Sequence, residues 1–332
     1  MEHYERNPMT PAAPGSPIDK ILIKLPESMR ERINKLPKRA MNQLEEIRIR
    51  TDTDTLLISG GREYSLRDRD EITAEVLEEI LNRLLDYSYY AYEEELARGY
   101  ITIEGGHRVG ICGRVTLENG QVHLIKDVSS LNIRRSREIT GSSDKILGAV
   151  LSPAKTPPEG VQNAGVSAAI TEMNVRNTLI ISPPKCGKTT ILRDLARSLS
   201  CRGFRIGICD ERSEIAGCYD GKTSYDLGPR TDVLDGCPKA EGILMLIRAM
   251  SPDVVLTDEI GKPEDAAAIR SALSAGLKII TTIHGSSFED AAKSAVGDLI
   301  TDRVFETLIF LSAQPVTGTV EKILQLPEVS HG

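Results

Sequence analysis

The hydrophobic pattern changes its period within the first half of the chain. The segment LEEIRIR alternates apolar and polar residues and is followed by the apolar run LLIS and two glycines, which predicts two neighbouring strands. From Val76 to Leu85 the apolar residues recur three or four positions apart, after Thr73 as a candidate N-cap. This spacing predicts an amphipathic helix, and we expect the helix to continue into the tyrosine-rich stretch DYSYYAYEEEL.

Strand-like segments return after this helix. GYITIEGG and HRVGICGRVTL both have the pattern of a strand, and the turn sequence ENG leads into a further apolar strand from Gln121 to Ile125. Together with the helix, these strands predict an α+β domain.

The second half of the chain alternates regularly between two types of segment. Short β-branched or apolar runs are separated by segments whose apolar residues lie three or four apart, which is typical of buried parallel strands connected by helices. We therefore predict an α/β domain with a doubly wound parallel sheet. The runs are NTLIIS, FRIGICD, DVVLTDE, LKIITTIH and TLIFLS, and the helical segments are TTILRDLARSLS, AEGILMLIRAMS, EDAAAIRSALSAG and SFEDAAKSAVGDLI.

These changes of pattern predict the domain limits. Residues 1–17 mix both charges with Pro and Gly and lack the apolar stretch of a signal peptide, so we expect a disordered lead. We assign residues 18–139 to the α+β domain and residues 140–332 to the α/β domain, with the Pro/Gly-rich stretch 152–165 near the boundary. The longest apolar runs are far shorter than the roughly 20 residues of a membrane-spanning helix, so membrane association would need a partner.

Charge and cysteine content narrow the class of protein. A formal net charge of -7 over 332 residues argues against a protein that coats nucleic acid, because phosphate binding needs an excess of positive charge. The six cysteines form no Cys-x-x-Cys pair, so neither a disulfide framework nor a structural zinc site is predicted. These features favour a cytoplasmic protein with no nucleic-acid partner.

A phosphate-binding loop is predicted between the strand NTLII and the helix ILRDLARSL. In this context a P-loop presents backbone N–H groups and a helix N-terminus to the phosphates of a nucleotide. Lys188 is expected to bind the β- and γ-phosphates and Thr189 to bind Mg²⁺ through its hydroxyl, so the predicted ligands are ATP and Mg²⁺. Ser182 departs from the motif, which has glycine at this position. The predicted nucleotide-binding residues are Ser182, Pro183, Pro184, Lys185, Cys186, Gly187, Lys188, Thr189 and Thr190.

Two further strands are predicted to end in carboxylates. We expect the strand DVVLT to lie beside the P-loop strand, so that Asp258 holds Mg²⁺ through water and Glu259 polarises the attacking water. The strand FRIGIC is followed by Asp210, Glu211 and Glu214, which are candidates for positioning Mg²⁺ or water. The alternative interpretation of this second group is a solvated loop.

The strand LKIITTIH ends in polar residues at the same edge of the predicted sheet. Thr282 and His284 are candidates for sensing the γ-phosphate, and the alternative for His284 is a histidine that only satisfies the strand end.

An arginine finger is expected to complete a P-loop site of this kind. No spacing selects one arginine, and an ordinary surface charge is the alternative for each. The candidates are Arg134, Arg135 and Arg137 with Arg48, Arg50 and Arg230, of which Arg134 and Arg135 are retained as catalytic candidates.

The order of these motifs is similar to that of a known family. From about Ile18 to Leu326 the chain resembles the stage III sporulation protein AA family, which is related to the ATPases of type II and type IV secretion systems. The resemblance implies an N-terminal domain joined to a RecA-like ATPase core, and six chains in a ring with nucleotide at the subunit interfaces. It also implies a place in the mother-cell cytoplasm, docked on an integral-membrane component of a secretion-like complex that links mother cell and forespore. The motifs that carry it are LEEIRIR, GYITIEGGHRVGICGRV, SSLNIRRSREI, NTLIISPPKCGKTTILRDLAR, GICDERSEIAG and MSPDVVLTDEIGKPEDAAAIRSALSAGLKIITTIHG.

We therefore expect a Mg²⁺-dependent ATPase, a homohexamer by the resemblance, that powers or assembles this complex during sporulation. Two alternatives stay open: a nucleic-acid motor or regulator, because RecA-like cores also serve such proteins, and a scaffold that binds ATP without hydrolysing it. The catalytic candidates are Lys188, Glu259, Glu211, His284, Arg134 and Arg135.

Overall fold

The computed structural model describes residues 17–153 and 173–326. The chain divides into two compact units between Arg137 and Glu138, and each unit is described by itself. The predicted disordered lead lies outside the described residues except for Pro17, and so does the Pro/Gly-rich stretch from residue 154 onward.

The first unit is built on a six-stranded antiparallel sheet in the order β3-β2-β1-β6-β5-β4. The predicted strand pair LEEIRIR and LLIS is confirmed as β1 and β2. The strand predicted from Gln121 to Ile125 is longer than expected, because its first part pairs with β5 and its last residues pair with both β1 and β5. The strands are β1 Leu44–Arg50, β2 Leu56–Ser59, β3 Arg62–Ser65, β4 Tyr100–Ile103, β5 His107–Glu118 and β6 Gln121–Arg134.

The helices of this unit cover one face of the sheet with apolar side chains. Thr73 caps the predicted amphipathic helix by accepting a hydrogen bond from the Val76 N–H. The prediction that this helix continues into the tyrosines was wrong: it ends at Leu84, because Asp86 and Tyr87 adopt left-handed backbone angles. The helices are α1 Pro17–Leu22, α2 Glu27–Asn34, α3 Lys38–Asn42, α4 Ala74–Leu84 and α5 Glu93–Ala97, with short 3₁₀ helices at Arg69–Glu71 and Tyr89–Tyr92.

The second unit contains a seven-stranded sheet in the order β11-β10-β12-β13-β9-β14-β15. The strands run parallel except for the last, which pairs antiparallel with β14. Its strands are β9 Thr178–Ser182, β10 Ile206–Asp210, β11 Thr231–Asp235, β12 Val254–Thr257, β13 Lys278–His284, β14 Thr307–Ser312 and β15 Thr319–Gln325; a separate pair is formed by β7 Leu151–Pro153 and β8 Met173–Val175.

Helices pack on both faces of this sheet, as predicted for a doubly wound domain. One apolar core lies between the sheet and α6 and α7, and another lies between the sheet and α8 to α11. The helices are α6 Asp144–Val150, α7 Lys188–Cys201, α8 Lys239–Ala249, α9 Pro263–Ser274, α10 Phe288–Ala292 and α11 Gly297–Thr301.

One predicted neighbour relation in this sheet was wrong. The strand β12, which precedes Asp258, does not lie beside the P-loop strand β9, because β13 lies between them and pairs with both. The strand that ends at His284 is therefore one of the two direct neighbours of the P-loop strand, and β14 is the other. All of these strands are parallel, so their carboxyl ends still meet at one edge of the sheet.

Candidate nucleotide-binding site

The predicted phosphate-binding loop connects β9 to α7. Ser182 is the last residue of β9, so its backbone is extended, a conformation open to residues with a Cβ, and its hydroxyl donates to the Pro183 carbonyl at 2.9 Å. Gly187 is the N-cap of α7 with φ +85°, and a Cβ there would lie 3.3 Å from Thr317 Cγ2. The loop therefore needs its glycine at 187 and does not need one at 182.

The remaining loop residues differ in exposure. Pro183, Pro184 and Lys185 are exposed, and Lys185 has a left-handed φ of +62°. Cys186 is buried under the loop, while Thr189 and Thr190 lie half-buried in the first turn of α7. Thr189 therefore lies at a helix N-terminus and is still partly accessible to solvent.

Lys188 is the first residue of α7 and is only 8% exposed. Its Nζ donates to the carbonyls of Ser182 and Pro183, both at 3.1 Å, and to the Ser182 hydroxyl at 3.3 Å. Burial lowers the pKa of Lys188, an effect that the nearby carboxylate of Glu259 opposes. The oxygen acceptors around this ammonium are all neutral, so its charge is poorly compensated by direct contacts.

His284 joins Lys188 to Glu259. The ring Nδ1 lies 2.9 Å from Lys188 Nζ, and Nε2 lies 2.8 Å from Glu259 Oε2. Since an ammonium can only donate hydrogen bonds, Nδ1 accepts from Lys188 and the Nε2–H of the neutral ring donates to the carboxylate. The sequence prediction put these three side chains at one edge of the sheet, and the structure joins them into one hydrogen-bonded chain. Thr282, in contrast, is buried at 1% exposure, and its carbonyl accepts the Ile260 N–H.

A second lysine, which sequence reasoning missed, lies at the same edge of the sheet. Lys239 is 6% exposed, and its Nζ lies 2.5 Å from Glu211 Oε2 and 3.1 Å from Asp258 Oδ1. Burial acts to lower the pKa of Lys239, but the two carboxylates outweigh it and raise the pKa above its usual value. The sequence feature that could have indicated Lys239 is its place at the start of a helix that follows a strand. Lys188 occupies the same place in α7.

Asp258 and Asp210 are both buried acids with different partners. Burial raises the pKa of Asp258, and Lys239 opposes this rise. Asp210 is fully buried and accepts the backbone N–H groups of Glu214, Ile215 and Ala216; burial raises its pKa to about 7. Asp210 thus fixes the loop after β10, and of this acidic group Glu211 is the residue that faces Lys239.

An arginine of α7 holds the same loop from the other side. Arg193 donates to the carbonyls of Ile215 at 2.6 Å and Glu214 at 2.7 Å. Its guanidinium stacks over the ring of Tyr225 at 3.6 Å from the centroid. The helix that begins with Lys188 is therefore hydrogen-bonded directly to the acidic loop.

The two arginines retained as catalytic candidates lie in the first unit. Arg134 is exposed at the end of β6. Arg135 donates from Nη1 to the carbonyls of Met41 at 3.1 Å and Asn42 at 3.3 Å, and burial lowers its pKa. A role of either residue as an arginine finger stays a prediction.

The donor set suits Mg²⁺ that arrives with a nucleotide. In the described ranges, 17–153 and 173–326, no group of three or more His, Cys, Asp or Glu side chains is arranged to hold a metal by itself. Mg²⁺ needs few protein ligands when phosphate oxygens supply others, and it prefers oxygen donors such as the Thr189 hydroxyl and the Asp258 carboxylate. Both side chains stand at the carboxyl edge of the sheet, so these residues fit the metal.

Comparison with known proteins decides the family. The family model for sporulation stage III, protein AA, matches residues 18–327. The chain belongs to this family. A curated member, the stage III sporulation protein AA of Bacillus subtilis (strain 168), is 44% identical over 306 residues, which covers 90% of this chain and 92% of the relative. The resemblance found from the motifs is thus confirmed.

Solved structures confirm the predicted fold class. The pilus retraction motor PilT, solved with bound ADP, superposes with a TM-score of 0.56 at 13% identity over 88% of this chain and 82% of PilT. The ATPase DotB of Yersinia pseudotuberculosis gives a TM-score of 0.50 at 12% identity over 86% of this chain and 76% of DotB. At such identities the likeness shows the fold alone, a RecA-like α/β core. None of the helices in residues 17–153 and 173–326 has both the length and the apolar character needed to cross a membrane.

Proposed function

We propose that this sporulation protein is a Mg²⁺-dependent ATPase. The observation that carries the proposal is the hydrogen-bonded chain from Lys188 through His284 to Glu259 at the mouth of a P-loop. It connects the side chain expected to bind the phosphates with the side chain expected to activate water. A hydrolase needs a phosphate-binding group and a water-activating group at one site, whereas a loop that only binds nucleotide needs no water-activating group.

Lys188 is the phosphate-binding group in this proposal. Its contacts are neutral oxygens and an imidazole nitrogen, so anionic phosphate oxygens would be stronger partners than those it has. When Lys188 turns to the phosphates, it gives up its hydrogen bond to Nδ1 of His284. With a proton on Nδ1, His284 would donate to the γ-phosphate while its Nε2–H continues to orient Glu259, which polarises the attacking water.

The metal is carried in with the nucleotide. Mg²⁺ supplies charge neutralisation on the transferred phosphate when it is bound. Thr189 and Asp258 are the residues that would hold it, Thr189 from the first turn of α7 and Asp258 from the end of β12. Glu211 takes a supporting part through Lys239 and is not assigned to the water.

Assembly and setting complete the proposal. Residues 140–332 act as the ATPase domain and residues 18–139 as the N-terminal domain of a homohexameric ring, with Arg134 or Arg135 reaching the site of a neighbouring chain. Family membership supports a role in sporulation. The ring would work in the mother-cell cytoplasm and dock on an integral-membrane component of a secretion-like complex between mother cell and forespore.

The deciding experiment measures ATP hydrolysis across protein concentrations, with the mass of the assembly measured in parallel. We expect turnover to rise with assembly and to vanish in Lys188→Ala, whereas the exposed variant Lys293→Ala should behave as wild type. Turnover that is independent of concentration would contradict a ring with shared sites. Tight ATP binding without turnover, even when the membrane partner is present, would favour the non-hydrolysing scaffold.

A further inference from the structure

Lys239 is a buried cation to which the proposed reaction so far gives only an indirect part, through Glu211. Its ammonium touches two carboxylates from the ends of neighbouring strands, Glu211 just after β10 and Asp258 just after β12. Lys262 approaches Glu211 from solvent at 4.0 Å, but its side chain is 71% exposed. The desolvated part of this ion-pair network therefore consists of Lys239, Glu211 and Asp258.

The position of Lys239 follows from close packing of α8 against β10. Gly242 lies one turn beyond Lys239, and a Cβ there would fall well inside van der Waals contact with Cys209 Sγ and 3.3 Å from Cys237 Sγ. The helix can approach the strand this closely because residue 242 has no side chain. The amino end of α8 consequently brings Lys239 over the carboxyl edge of the sheet.

A purely stabilising role explains this arrangement poorly. Desolvating three charged groups costs free energy that their mutual attraction often does not recover, and apolar replacements of such groups are frequently neutral or stabilising. The network also lies at the edge where the P-loop and Glu259 meet, not in one of the apolar cores. Its location points to a function in the site.

We propose that Lys239 is a positioning residue that fixes the orientation of the Asp258 and Glu211 carboxylates, so that Mg²⁺ entering with the nucleotide meets a preformed partner. This inference rests on the proposed nucleotide site. In the absence of the ammonium, Asp258 would keep its burial and lose its counter-ion, and its carboxylate would be free to rotate. Nucleotide binding that does not involve the metal depends on Lys188 and the loop backbone, whereas the ion-pair partners of Lys239 are Glu211 and Asp258.

The test distinguishes nucleotide affinity that depends on Mg²⁺ from nucleotide affinity that does not. A fluorescent, non-hydrolysable ATP analogue is titrated into wild type and Lys239→Met, once with Mg²⁺ and once with EDTA. Loss of a group that orients a metal-holding residue typically weakens metal-dependent binding by about 10- to 100-fold. We expect the Kd with Mg²⁺ to rise by about tenfold and the Kd in EDTA to change by less than about twofold. Lys262→Met is the matched control and should leave both values unchanged.

A second variant covers the case in which Lys239→Met folds poorly. The double variant Glu211→Gln with Lys239→Met removes one charge of each sign, so it leaves less uncompensated charge in the buried network. It should keep the wild-type unfolding temperature and still show the loss of Mg²⁺-dependent affinity. A wild-type ratio of the two Kd values in either folded variant would overturn the role of Lys239, whereas absence of nucleotide binding by wild type in both buffers would overturn the proposed function itself.

Discussion

Two lysines begin helices at the same edge of the sheet and have opposite surroundings. Lys188 and Lys239 are the first residues of α7 and α8, and both are buried. Lys188 donates to carbonyls, a hydroxyl and an imidazole, and its pKa is lowered. Lys239 is clamped between two carboxylates, and its pKa is raised.

This difference agrees with the two different tasks that we propose for the two lysines. A lysine without a direct carboxylate partner retains attraction for an incoming phosphate, because its charge is not yet compensated. A lysine between two carboxylates already has its charge compensated, and its contacts fix the orientation of those carboxylates. The adjacent acids Asp258 and Glu259 have different lysine partners. Asp258 contacts Lys239 directly, and Glu259 is joined to Lys188 through His284.

The largest effect on turnover is expected when Glu259, which is hydrogen-bonded to Lys188 through His284, is replaced by a neutral residue. Glu259→Gln removes the carboxylate that we propose accepts the proton of the attacking water, and such groups contribute about 10²- to 10⁴-fold in rate. We expect kcat to fall within that range and the Kd for the ATP analogue to stay within about twofold, because Lys188 remains. Glu264→Gln, on the exposed start of α9, is the control. Wild-type turnover in Glu259→Gln would remove Glu259 from the reaction.

A smaller effect on turnover is expected from substitutions of His284 that retain one of its two hydrogen bonds. The amide of Asn lies near the position of Nδ1, so His284→Asn retains the hydrogen bond to Lys188. The amide of Gln lies near the position of Nε2, so His284→Gln retains the hydrogen bond to Glu259. Loss of a hydrogen bond to a charged group costs about 1.5–3 kcal/mol, and we expect kcat to fall at least about tenfold in both variants. Steady-state kinetics check this, and full activity of either variant would show that the chain is not needed as a unit.

The smallest expected effect concerns the packing that positions Lys239. Gly242→Ala inserts a methyl group against Cys209 and should lower the free energy of unfolding by about 1–3 kcal/mol, as overpacking of a core does. Cys209→Ala in the same chain makes room for that methyl group, so the double variant should be more stable than Gly242→Ala alone. Urea unfolding measures both. If the second substitution fails to restore stability, the close approach of α8 to β10 is not the source of strain.

Local patterns were sufficient for much of the site and fold. The P-loop is contiguous in sequence, and its strand and helix have distinct apolar periods, so residues 182–190 and the roles expected of Lys188 and Thr189 could be predicted. Strands ending at Asp258 and His284 could be predicted for the same reason. The extent of β6 and the end of α4 could not, because the first depends on pairing with β1 and the second on left-handed backbone at Asp86 and Tyr87.

The sequence by itself therefore determined the strand and helix that flank the predicted phosphate-binding loop, the strand ends that carry acids, and the family. Only the tertiary structure decided that β13 separates β12 from the P-loop strand, that His284 lies between Lys188 and Glu259, and that Lys239 faces Asp258. The physical reason is that periodicity reports which face of one element is buried, whereas strand order and the approach of α8 depend on how distant elements pack together. Local sequence does not show whether a lysine at a helix start faces carbonyls or carboxylates, because its partners depend on how the helix packs against the rest of the domain.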